Sequence, residues 1–440
     1  MLHPALAGLP ANLCAWLTAL VQAVPVRSSA TFLELLIGAM VTDRGFVTEA
    51  ILAISPRRRW HAYFKWIEGG RWSWVAVALR LCKILVANFS PAIWYLVIDD
   101  SLVPRTSKKA PGVGIHFDHS RKPNRPKYIW GQGWVTLAAV IHADAVAKSW
   151  AVPLLSRLVR KRLVPAPAGG SDRGKLTTAK VLLRVVRGIF GNGRLLLDAW
   201  YMRASVIDYA LAEGLAVIGQ VRRDLALYLA PGPRPAGKRG RPAKYGTRMT
   251  EPVVAALPQT RSFMFIYGQG QVVRFRSAIV MARFLGGRPV RAVWIQLEDD
   301  DGVPRAPRLL IATDTSLSAR QVIEAYALRW TIEPMFCSLK HGVGIKEAWQ
   351  RRRQTLHRWV QILSAAFAIT QMMAVHDPAI ARQLAVVAPW RRETHPTAGM
   401  VKRGLAILFR NVSVLALWDR NCRKFVGQIA PHPLDIADTA

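Results

Sequence analysis

YALRWTIEPMFCSLK, from Tyr326 to Lys340, is the stretch on which the reading of this chain turns. It sets Tyr326, Arg329, Glu333 and Lys340 at the spacing Y-x2-R-x3-E-x6-K. On one unbroken helix, at about 100° per residue, these four would share a stripe about 60° wide. Pro334 works against that helix, because an interior proline loses a hydrogen bond and clashes with the preceding turn. The simpler expectation is a new helix with Thr331 as N-cap and Pro334 in its first turn, where a missing N–H costs little. Glu333 and Lys340 then share a face, and Tyr326 and Arg329 end the helix before. An acid among a phenol, a guanidinium and an amine suits phosphate chemistry: oxygen for a metal, cations for phosphate oxygens.

Working outward, two more carboxylate positions follow short apolar runs. Trp94 to Ile98 leads into Asp99 and Asp100, and Leu195 to Leu197 leads into Asp198. A continuous apolar run of this length fits a buried strand. One Asp after such a run is ordinarily a turn residue; the combination with Glu333 is what singles these out. Cutting a phosphodiester needs charge neutralised at the attacking and leaving oxygens. Two divalent ions about 4 Å apart do this when carboxylates from separate elements hold them. Magnesium and manganese prefer such hard oxygen ligands.

The segments between these positions alternate. Gly133 to Ile141 and Lys148 to Leu155 are expected strands, with a Lys/Arg/Pro/Gly-rich loop from Leu102 to Trp130 before them. A helix is expected over Leu176 to Ile189, then the strand ending at Asp198, a helix over Ser205 to Glu213 and a strand over Leu215 to Val221. That order is α/β. From Arg222 to Arg305 it gives way to strand-like runs at Ser262 to Tyr267, Val272 to Val280 and Val290 to Leu297. A strand over Leu309 to Thr313 and a helix near Ser318 resume the alternation, with Ser318 and Gln321 spaced as a capping box. Residues 1–90 read as helical and carry the basic, aromatic stretch Ser55 to Trp60; residues from Arg351 onward read as helical and basic.

Lys plus Arg number 61 and Asp plus Glu 27, a net charge of +34. Ordinary small domains seldom exceed a magnitude of about 8. Nucleic acid is the leading partner, since each neutralised phosphate releases counterions; a membrane surface is the rival. The uncharged stretch Met1 to Val26 lacks a basic leader and is broken by Pro4, Pro10 and Pro25. The uncharged run Trp359 to Val375 holds Gln361, Ser364, Thr370 and Gln371 and falls short of the roughly 20 apolar residues a span needs. Both read as buried helices. Cys14, Cys82, Cys337 and Cys422 are scattered without metal spacing, as reduced thiols of a cytosolic protein would be.

These residues resemble the DDE transposases of bacterial insertion sequences, in the group marked by a Y-R-E-K signature. Tyr326, Arg329, Glu333 and Lys340 match it completely in spacing, and VIDDS (Val97 to Ser101) and LLLDA (Leu195 to Ala199) look like the other two motifs. The resemblance covers roughly residues 91–349. It implies an RNase H-like mixed sheet flanked by helices, with a β-rich insertion between the second Asp and the Glu. The expected organisation is an N-terminal helical DNA-binding region (1–90), a catalytic core in two parts (91–221 and 307–349), the insertion (222–306) and a C-terminal helical region (350–440). By position, Asp99 or Asp100, Asp198 and Glu333 would bind two Mg2+ ions, for which Mn2+ can substitute. Tyr326, Arg329 and Lys340 would hold DNA phosphates. The implied partners are double-stranded DNA, as terminal inverted repeats and target, and a second copy of the chain in the DNA complex; no membrane partner is expected. The implied location is the bacterial cytoplasm, at the nucleoid. A catalytically inactive DNA-binding relative and another RNase H-like nuclease are the alternatives.

Four further features of the sequence bear on nucleic-acid or metal binding. Arg239 and Arg241, in KRGRP, have the form of a minor-groove contact, balanced against a flexible basic loop. His116, Asp118 and His119 lie in a Pro/Gly-rich loop without a second ligand pair, which favours a structural or DNA-facing loop. Trp294 falls where related enzymes stack a flipped base, although a buried strand residue is the simpler reading. Asp299 to Asp301, before Gly302, reads as a solvated turn.

Overall fold

The computed structural model describes residues 9–117, 126–143, 148–159, 173–233, 240–299, 301–385, 395–410 and 413–426. Five helices lead: α1 (Ala11–Val21), α2 (Ser29–Val41), α3 (Val47–Leu52), α4 (Trp60–Gly69) and α5 (Trp74–Asn88). Then come β1 (Tyr95–Pro104), β2 (Val113–Phe117), β3 (Tyr128–Ala143), β4 (Lys148–Leu158), α6 (Arg173–Val185), β5 (Arg194–Leu197), α7 (Ala204–Ala212) and β6 (Ala216–Val221). The next stretch holds β7 (Leu227–Tyr228), α8 (Glu251–Ala255), β8 (Thr260–Ile266), β9 (Gln269–Ala282), β10 (Arg288–Leu297) and β11 (Arg308–Ala312). Helices α9 (Ala319–Ala327), α10 (Ile332–His341), α11 (Arg353–His376), α12 (Pro378–Leu384) and α13 (Ala398–Leu408) follow. This is a mixed α/β chain in keeping with an RNase H-like DDE fold.

Two compact units divide it: Ala92–Asp99 with Lys175–Ile332, and Met1–Pro91 with Asp100–Gly174 and Glu333–Ala440. In the first of these, the opening half of β1 pairs in parallel with β5, and β5 in parallel with β6. Leu96, Val97, Ile98 and Leu195 to Leu197 are buried; apolar residues run unbroken because both faces of a parallel sheet are covered. β11 joins β6 in antiparallel fashion, followed by β10 and then β9, which also pairs with β7 and β8. Helix α9 lies across β6, β11 and β10, burying Val322, Ile323, Ala325 and Tyr326. Its capping box is present, with Gln321 N–H donating to Ser318 Oγ at 3.2 Å and Ser318 N–H to Gln321 Oε1 at 2.9 Å. Within the β-rich stretch, buried Glu298 receives both Arg261 and Arg274, which hold its carboxyl down at about 2.

In the other unit β3 and β4 form a long antiparallel pair, and β2 pairs with the start of β3. The expected loop from Leu102 to Trp130 is therefore corrected: β1 runs on to Pro104, and VGIHF forms β2. Its glycines and prolines read as a loop, but strand formation here is set by the partner Tyr128 to Gln132, which sequence periodicity does not reveal. Helix α6 also ends earlier than expected, at Val185; Gly188 (φ 70) and Gly191 (φ 54), on either side of Ile189, turn the chain out of the helix. Helix α11 is long and apolar enough to cross a membrane by length and composition, yet 94% of its apolar window is buried, so it serves as a core helix. It packs on α2, α5 and β4. One of its polar residues anchors it. The Arg358 guanidinium donates to the carbonyls of Ile67, Glu68, Gly70 and Trp72, closing the carboxyl end of α4. A cation is favourable at that end because the last carbonyls carry partial negative charge. Burial pulls the Arg358 pKa down.

Candidate active site

The site is built by two neighbouring parallel strands. β1 and β5 are in register with Ile98 opposite Leu197, so Asp99 and Asp198, one residue further on, leave adjacent strands at the same level. Asp198 is fixed by its own turn: its Oδ1 accepts the N–H groups of Trp200 at 3.1 Å and Tyr201 at 3.0 Å. Asp99 Oδ2 accepts a hydrogen bond from Arg329 Nη1 at 3.0 Å. The two side chains keep only 13% and 12% of their surface exposed, which makes this a desolvated pair rather than a surface contact.

Arg329 comes from a tight turn. Helix α9 stops at Ala327, a 3-10 turn runs from Leu328 to Thr331, and α10 begins at Ile332 with Pro334 in its first turn. Proline thus sits where its missing N–H is harmless. The expected break before Glu333 is present; the Thr331 hydroxyl, however, donates back to Leu328 O at 2.8 Å. The turn sets the Arg329 guanidinium 6.0 Å from the Tyr326 ring centre and 5.9 Å from that of Trp330. Tyr326 is buried, and burial pushes its phenol up to about 12. Arg329 opposes that rise, while Tyr267 and the Asp198 carboxylate add to it. Asp99, Asp198, Tyr326 and Arg329 are therefore one cluster.

Residues 20–264, more than half of the chain, match the DDE superfamily endonuclease family, and residues 169–370 match the transposase DDE domain. The chain belongs to the DDE superfamily of endonucleases. No curated protein matches it. The crystal structure of the NurA nuclease from Sulfolobus solfataricus overlaps 55% of this chain and 73% of its own, at 11% identity and a TM-score of 0.25. A likeness that slight carries no argument. Membership of the DDE family implies nuclease-type catalysis on DNA, and the family generally uses divalent metals.

The remaining expected residues of this DDE endonuclease are placed as follows. Asp100 follows Asp99 in β1, so strand alternation turns it to the opposite face. Glu333 is exposed in the first turn of α10 and Lys340 half-buried in its last. Arg241 is exposed in the irregular segment after β7; Arg239 lies outside the described residues. His116 belongs to β2 and not to a loop, whereas Asp118, His119 and Asp300 lie outside the described residues. Trp294, half-buried in β10, stands between Arg276 and Leu309. Among the described residues no three His, Cys, Asp or Glu side chains are gathered closely enough to hold a metal as they stand.

Three neighbours of the site were not expected from the sequence. Tyr267 sits edge-on to Trp330, with ring centres 6.4 Å apart. It occupies the left-handed region (φ 56) beside Gly268 (φ 80), in the two-residue turn joining β8 to β9. Two apolar runs around a residue and a glycine are a hairpin signal; that signal was available. Lys175, at the start of α6, places its Nζ 5.0 Å from the ring centre of Trp200, two residues past Asp198. No local motif marks that pairing.

Proposed function

We propose that this chain is the transposase of an insertion sequence, of the Y-R-E-K group. In this reading it binds terminal inverted repeats, cuts DNA at the element ends and joins those ends to a target, two copies acting together. The observation that carries the reading is the level placement of Asp99 and Asp198 at the ends of adjacent parallel strands. The same register favours Asp99 over Asp100 as the metal-binding residue.

The donor set suits Mg2+ or Mn2+. Asp99 and Asp198 supply hard carboxylate oxygens, and the position beside Asp99 already accepts a cation in the form of the Arg329 guanidinium. Glu333, exposed near the start of α10, is assigned as the third carboxylate from its place in the Y-R-E-K spacing alone. Bound divalent ions would neutralise the phosphate and activate the attacking hydroxyl or water. The chain's own residues do the positioning. Arg329, flanked by Tyr326 and Trp330, offers a planar fork to phosphate oxygens, and Lys340 offers a point charge. The buried Tyr326 phenol stays protonated at neutral pH, so it donates a hydrogen bond without adding negative charge. Upstream, Arg57 to Trp60 form an exposed basic and aromatic loop suited to DNA phosphates. Its backbone is pinned by the fully buried Glu34, which accepts from Arg57 N–H and from the Tyr63 hydroxyl.

The test is nicking of plasmid DNA carrying the sequences that flank the coding region, with Mg2+. Wild type is expected to nick at the element ends and transfer them. Asp198→Ala and Glu333→Ala are expected to lose at least about 100-fold of the rate while still binding the DNA. Cleavage that survives both substitutions would refute the assignment. Nicking without end preference or strand transfer would make the protein a DDE nuclease of another kind.

A further inference from the structure

The β2–β3 ribbon turns its large apolar residues outward. In the register Phe117 opposite Tyr128 and Ile115 opposite Trp130, these four share one face. Ile115, Phe117 and Tyr128 are 46%, 45% and 64% exposed. The opposite face pairs half-buried His116 with half-buried Ile129 and is bare of side chains beside them. Gly114 and Gly131 are buried, and a Cβ on Gly131 would stand 2.8 Å from the Leu102 side chain. A ribbon shaped only by packing does the reverse, burying aromatic carbon and leaving small residues outside. The aromatic face also carries charge. Lys108 Nζ lies 5.3 Å from the Trp130 ring centre, and the exposed Lys109 and Lys127 neighbour Lys108 and Tyr128 in the chain. Phe117 and Tyr128 meet edge-on with ring centres 5.5 Å apart.

We propose that this face binds single-stranded DNA. Unpaired bases stack on Phe117 and Tyr128, while Lys108, Lys109 and Lys127 meet the phosphates on either side. Interleaved aromatic and basic residues on a strand surface are what a sequence-tolerant single-strand site requires. A duplex keeps its base faces stacked on one another, so the aromatic residues discriminate for unpaired DNA. The lysine rim argues for a polyanion over an apolar protein partner. This surface lies outside the catalytic cluster and adds a substrate form, the separated strand, to the reading above.

The experiment measures binding of a fluorescent oligothymidylate of about 15 nucleotides, and of a duplex of equal length, to the full chain by anisotropy. Because each stacked base contributes separately, Phe117→Ala with Tyr128→Ala is expected to weaken single-strand binding by at least about 30-fold. Duplex affinity is expected to move less than about threefold. Tyr128→Trp retains a stacking ring and is expected to keep single-strand binding, which separates loss of contact from loss of fold. Asp198→Ala is expected to bind oligothymidylate like wild type, so failure of the catalytic assignment leaves this proposal standing and the reverse. Equal losses for single strand and duplex, or none for either, would overturn it. So would a change in sedimentation showing that the double substitution dissolves a contact between two copies while oligothymidylate affinity is kept.

Discussion

Removing Arg329 should destabilise the protein and tighten its hold on Mg2+, while destroying activity. At 3.0 Å from Asp99, and at an effective dielectric near 20, the attraction is worth about 5 kcal/mol. Desolvation of two charges so little exposed cancels part of it. Deleting one partner, however, strips the other of this counter-charge in a desolvated site, which costs about 3–5 kcal/mol. The lower end applies here, because Asp99 keeps some contact with water. Arg329→Ala is therefore expected to lose about 3 kcal/mol in urea unfolding without metal. Adding Asp99→Asn should return more than about 1 kcal/mol of that, the coupling expected of residues in contact. The metal response has the opposite sign. With the guanidinium gone, Asp99 keeps its negative charge and loses this competing cation, so a divalent ion beside Asp99 and Asp198 meets less opposition. Calorimetric titration should show Mg2+ binding at least about tenfold tighter, or about 1.4 kcal/mol. Nicking should nevertheless fall, since the fork that holds phosphate is lost. Weaker Mg2+ binding by Arg329→Ala, or a coupling below about 0.5 kcal/mol, would refute the view that Arg329 and metal share Asp99.

Two other predictions concern the frame around the site. His357 is buried, accepts the Leu158 N–H on Nε2 at 3.1 Å and stacks on Trp74; burial holds it down at about 4, below the usual 6.5. Its neutral form is favoured by folding, so its contribution is complete above pH 6.5 and fades as pH falls toward 4, by about 3 kcal/mol in all. Comparing wild type with His357→Gln cancels the general repulsion of a basic chain in acid; parallel pH–stability curves would count against the assignment. Gly45 lies against Gly344, whose carbonyl oxygen would be 1.8 Å from an added Cβ. Gly45→Ala is expected to cost about 3 kcal/mol, and a melting temperature like wild type would show that this contact yields freely.

What was legible in the sequence follows from which interactions are local. The runs ending in Asp99 and Asp198 could be read as strands because a buried parallel strand is apolar throughout. The break at Pro334 was visible because proline acts on its own turn, and Ser318 with Gln321 because a capping box is complete within four residues. β2 was not legible: VGIHF owes its conformation to Tyr128–Gln132, and Gly114 reads as a breaker until that pairing is seen. The register between β1 and β5 was equally hidden, since pairing across about 100 residues is decided by packing. Yet that register is what places Asp99 rather than Asp100 level with Asp198.

The positive charge of the chain gives the Asp99–Arg329 pair a wider sense. With 61 basic residues against 27 acidic ones, the average potential around any carboxylate opposes a second cation. Glu298 is claimed by Arg261 and Arg274, and Asp314 by Arg194. In the proposed reading, a divalent ion at Asp99 would have to compete both with Arg329 and with the field of the whole molecule. DNA relieves both obstacles at once. Its phosphates lower the surrounding potential and give the Arg329 fork another anion to hold. On the proposed reading, the arginine that pairs with the carboxylate in the free protein would, by the same chemistry, be the group that hands it over when DNA arrives.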